Sequence, residues 1–120
     1  MKFAAWSSLV IGALMLAQWT FFVAAGQVPE LQTEPYRIAF HLAAEAVTAV
    51  ALIVAGVMLF RSARGAARLA LVANGMLVYT AIVSPGYFAQ QGQWALVGML
   101  AVVLVLAVGS IVKVWLNAPR

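Results

Sequence analysis

His41 and Glu45 stand one helical turn apart in an otherwise apolar stretch, from Arg37 to Thr48. His41 is the chain's only histidine, and Glu45 its only acid outside a short loop. An imidazole and a carboxyl at this spacing can share a proton, pair as ions or ligate a cation. At about 100° per residue, Arg37, His41, Glu45 and Thr48 share one face of a helix. A charged side chain in mid-membrane costs roughly 2.5–3.5 kcal/mol on insertion scales, so this stripe must face protein, water or a ligand.

The elements that must position the pair follow from composition. The chain has 120 residues, 66% of them hydrophobic and only 8% charged. That leaves too little polar surface to cover a water-soluble domain of this size, and an integral membrane protein is expected. The formal charge of +4 is no nucleic-acid signal, because the basic residues sit at helix ends. The absence of cysteine excludes disulfides, thiol redox chemistry and cysteine metal sites.

Four apolar segments are predicted as one all-α domain, a four-helix transmembrane bundle. They run over about residues 3–25, 35–60, 68–84 and 94–116. The first ends in Val23-Ala24-Ala25, which looks like a signal-peptide cleavage site, but its length is that of a retained span. Ser7, Ile11, Leu14 and Gln18 share its expected inward face. The second begins at Glu34-Pro35, an acid and a proline suited to a first helical turn. Ala44, Thr48, Ala51 and Ala55 form a small-residue edge for close packing, opposite a lipid face of Leu42, Val50, Ile53 and Val57. The third is expected to stop at Ser84-Pro85-Gly86. The fourth is almost wholly aliphatic in its middle, with Gly98 and Gly109 as expected contact points.

Lys2, Arg61, Arg64, Arg68, Lys113 and Arg120 fall on one side of this topology, with Arg37, Glu30 and Glu34 on the other. The positive-inside rule then puts both termini in the cytoplasm of a multi-pass protein of the inner (plasma) membrane. Arg61, Arg64 and Arg68 read as an inner anchor and Arg37 as an outer one. Trp94 joins an outer aromatic belt of Trp19, Phe21, Phe22, Tyr36, Phe40, Tyr87 and Phe88; Trp115 joins an inner belt of Phe3, Trp6 and Phe60.

At 1.5 Å per residue His41 lies about 8 Å below the outer surface and Glu45 about 15 Å. Gln18 is level with His41, Tyr79 with Glu45, and Ser84 lies near the outer end. Gln18, His41, Glu45 and one face of the third segment are expected to close an outward-opening ligand pocket. That face carries Asn74 with Ser84, or it carries Tyr79; Asn74 and Tyr79 cannot both point inward. The first functional reading is binding or transport of a small lipophilic, cationic or protonatable ligand. Glu45 is its charge partner and His41 a hydrogen-bond or proton relay. The second is a structural or assembly subunit of a larger membrane complex. The third is a membrane enzyme acting on a lipid or quinone, which requires Ser84 or Tyr79 at His41. No cofactor is expected. His41 and Glu45 are two ligands where zinc takes four, so a metal site requires a symmetric dimer. The expected partners are the lipid bilayer and a second copy or another membrane protein. Met15, Met58, Met76 and Met99 are dispersed and read as core filler.

Overall fold

The computed structural model describes residues 2–117. Among them there are five helices and no strands: α1 (Lys2–Ala24), α2 (Glu30–Thr33), α3 (Pro35–Phe60), α4 (Ala66–Gln90) and α5 (Trp94–Asn117). The four long helices are each long and apolar enough to cross a membrane. The one-turn α2 falls in what the sequence reads as loop. Arg120 lies outside the described residues.

The helices form because nothing in them competes with helix in an apolar setting, and their ends are set by a few residues. Pro35 opens α3 beside Glu34, whose carboxylate meets Arg37 at 3.4 Å instead of capping the helix. Gly65 takes a left-handed φ of +82° before α4, and Gly92 one of +74° before α5. Glycine adopts both without the clash a Cβ would bring. These tight turns make the long helices run antiparallel, up-down-up-down. One end carries Lys2, Arg61, Arg64, Arg68 and Lys113, here the basic end. The other carries α2, Arg37 and the Gln91–Gln93 turn, here the loop end.

The packing departs from expectation in two places. Contact of α1 with α3 is made through Gly12 and Gly56. A Cβ on Gly12 would lie 2.7 Å from the Ala49 carbonyl oxygen, and one on Gly56 would lie 2.9 Å from that of Ala5. Two backbones meet there, and Ala5, Ser8, Ala49, Leu52 and Ala55 fill the seam. This turns Leu14 outward, 62% exposed, although Ser7 and Ile11 on its predicted face are buried. It also draws Ile53 of the predicted lipid face towards Gly12. Thr48 and Ala55 of the predicted edge are buried and Ala44 is exposed. Gly98 touches nothing beyond its own helix, whereas Gly109 meets the Phe3 ring.

The second departure is α4, which continues through Pro85 to Gln90. Proline removes one helical donor, so the Ala81 carbonyl loses its usual partner. A helix packed among neighbours tolerates that loss. Six more residues of α4 thereby reach past Ser84, and they bring Tyr87 and Phe88 to the loop end.

α3 and α4 are the most buried helices and α5 the least. The remaining faces present Val50, Val57, Val72, Ile82, Val102 and Val105 outward.

Candidate functional site

Glu45 points into the bundle and is only 6% exposed. One turn towards the loop end, His41 Nε2 lies 3.9 Å from Glu45 Oε1. That is beyond hydrogen-bond length, but within reach of a bridging water or a small rotamer change. The indole of Trp19 on α1 meets the His41 ring edge to face, with centroids 5.5 Å apart. The side chains of Trp19 and Thr80 line the same small space as the Glu45 carboxyl.

Two cavities meet at this pair. The larger, about 550 Å³, opens at the loop end between α1, α2, α3 and α4. Its polar lining comes from Glu30, Glu34, Arg37, His41, Gln90 and Gln91. The smaller, about 100 Å³, lies deeper and is lined mostly by apolar residues, with Gln18, Glu45 and Thr80 as its main polar groups. Trp19, Ser84 and Phe88 line both, so they form the partition between the two. His41 faces the larger cavity and Glu45 the smaller one, which places the pair across that partition.

The charges of the larger cavity are tied to one another. Arg37 NH1 lies 3.4 Å from Glu34 Oε2, on the surface. The Tyr87 hydroxyl donates a 2.6 Å hydrogen bond to Glu30 Oε1, joining the last turn of α4 to α2. Among the described residues neither cation nor phenol reaches Glu45, and its one ionisable neighbour is His41.

The predicted residues divide into two groups. Gln18, His41, Glu45 and Ser84 come together around the cavities. Asn74 and Tyr79 do not. The Asn74 face of α4 turns inward, so Leu77, Ala81 and Ser84 are buried while Tyr79 is 71% exposed on the opposite side. Asn74 itself lies towards the basic end, where its Nδ2 donates to Ser8 Oγ at 3.0 Å and to the Ala70 carbonyl at 2.9 Å. Among the described residues no hydrogen bond joins His41 to Ser84 or Tyr79, the contact on which the lipid- or quinone-acting enzyme reading depends. No three of His, Cys, Asp and Glu gather as metal ligands among those residues.

Sequence reasoning did not identify Trp19, Thr80 and Phe88 as site residues. Leu77, Thr80, Ser84 and Phe88 follow i+3 and i+4 spacing, so Thr80 and Phe88 were readable once that face was chosen. Phe88 was assigned to an interfacial belt, but it is buried because α4 does not end at Ser84. Trp19 carried no periodic signal, because aromatics near a helix end read as belt residues. No curated protein and no solved structure matches the chain. Residues 1–119 match the family described as a domain of unknown function (DUF8058), and the chain belongs to that family.

Proposed function

We propose that this protein is a multi-pass protein of the inner (plasma) membrane that binds or transports a small lipophilic, cationic or protonatable ligand in the larger cavity. The observation that carries the reading is the His41–Glu45 pair, set across the partition between a larger cavity bordered by charged groups and a smaller, more apolar one. A volume of about 550 Å³ falls within the roughly 300–1,000 Å³ of small-molecule sites. Its ionisable lining holds two acids and one arginine, with a third acid just below, which favours a cation over an anion. Five basic residues at the opposite end support termini in the cytoplasm and a cavity open to the outside.

The test is binding of tetraphenylphosphonium, a lipophilic cation, to the purified protein in detergent. Glu45→Gln keeps the shape of the side chain and removes its charge. Loss of affinity by about tenfold or more is expected, with the protein still folded. A folded variant that binds like wild type contradicts the reading.

A further inference from the structure

The two cavities differ in what they can hold, and that difference separates the ligand from Glu45. The smaller one, about 100 Å³, is well below the size of a small-molecule site. At roughly 30 Å³ per water it takes about three waters. A ligand in the larger cavity therefore reaches His41, while from that cavity only a water-sized species passes on to Glu45.

The charges around Glu45 narrow that species further. From α1, α4 and α5 the polar groups brought to the smaller cavity are Gln18, Trp19, Thr80 and Ser84, none of them ionisable near neutrality. On its own helix only His41 is close, because Arg37 is turned to Glu34. Glu30 and Glu34 line the larger cavity alone. Among the described residues no permanent cation stands beside Glu45, so within the protein only a protonated His41 compensates its negative form.

We propose that Glu45 is a proton site, loaded and emptied through His41 from the larger cavity. The inference rests on the preceding reading for the direction in which that cavity opens. In the emptying step the Glu45 Oε1–H bond breaks and its proton goes to Nε2 of neutral His41, across a bridging water or after closure of the 3.9 Å gap. The imidazolium then releases its Nδ1 proton to water in the larger cavity. Glu45 is left as a carboxylate, and His41 is again neutral in its other tautomer. A cation in the larger cavity favours the carboxylate, so cation binding and proton release are linked, and the linkage is reciprocal.

Infrared difference spectra of the purified protein, recorded between acidic and alkaline pH, test this. The expected result is a protonated-carboxyl band that disappears as pH rises and is missing in Glu45→Gln. In Glu45→Asp, a second variant should the first not fold, the band shifts but still titrates. In His41→Phe, hydrogen–deuterium exchange at that carboxyl slows by about a hundredfold. A set of pH-dependent carboxyl bands unchanged by either Glu45 variant overturns the proton site. Wild-type exchange in His41→Phe overturns the relay. Tetraphenylphosphonium binding on the same sample separates the two readings. A protein that titrates at Glu45 but binds no cation supports the proton site and overturns the ligand reading.

Discussion

The basic end and the loop end of this bundle are built on opposite terms. From the basic end to the middle of the bundle the helices touch backbone to backbone: Gly56 and Gly12 carry the α1–α3 contact, and Ala66, Ala70 and Ala73 line the buried face of α4. One polar pair there ties two helices together, Asn74 of α4 to Ser8 of α1. Asn74 and Ser110 stand equally far from the turn between α4 and α5, so they share a level of the bundle, and both are fully buried. At the loop end bulky side chains hold the helices apart. Trp19, Phe88 and Met99 border space, and the polar groups face it. Small residues close a bundle, and large aromatics near its mouth keep it open. On the proposed reading one end is the frame and the other the vessel for the ligand.

The frame should break most easily where two backbones meet. Gly12→Ala is expected to destabilise the protein by about 2 kcal/mol, because the new methyl overlaps a carbonyl oxygen that cannot move alone. Gly98→Ala, at a helical glycine with nothing within contact range, is expected to leave stability unchanged or slightly raised. Thermal unfolding of both variants in one detergent makes the comparison, and equal melting temperatures would sink it. Next in size is Asn74→Ala, which strands Ser8 and removes a link between α1 and α4. A loss of about 1 kcal/mol is expected, in the range of polar contacts inside membrane bundles, with ligand binding by the folded protein retained. The smallest effect belongs to the vessel. Tyr87→Phe removes one exposed hydrogen bond to Glu30 and is expected to cost about 0.5 kcal/mol. Because it frees the last turn of α4, its measurable trace is faster tetraphenylphosphonium exchange with little change in melting temperature. Unaltered exchange would mean that the Tyr87–Glu30 contact does not restrain the cavity.

The number of long helices and the central place of the second apolar segment were legible because hydrophobic length and periodicity are local properties. So was the pairing of His41 with Glu45, which follows from i,i+4 spacing alone. The contacts of Gly12 and Gly56 were not, since a glycine in an apolar run signals a close approach only when the facing backbone is known. The continuation of α4 past Pro85 was hidden for a different reason. Ser84-Pro85-Gly86 is a strong stop in water, and the packing of neighbouring helices overrides it. That one misread boundary also misplaced Phe88, one of the three residues that separate the two cavities.

The division between frame and vessel is tested most directly by measuring tetraphenylphosphonium affinity and melting temperature together for Glu45→Gln and Asn74→Ala. Glu45→Gln is expected to lose affinity by about tenfold or more at near wild-type stability. Asn74→Ala is expected to lose stability while its folded fraction binds normally. Full affinity in Glu45→Gln, or lost affinity without lost stability in Asn74→Ala, would overturn the division.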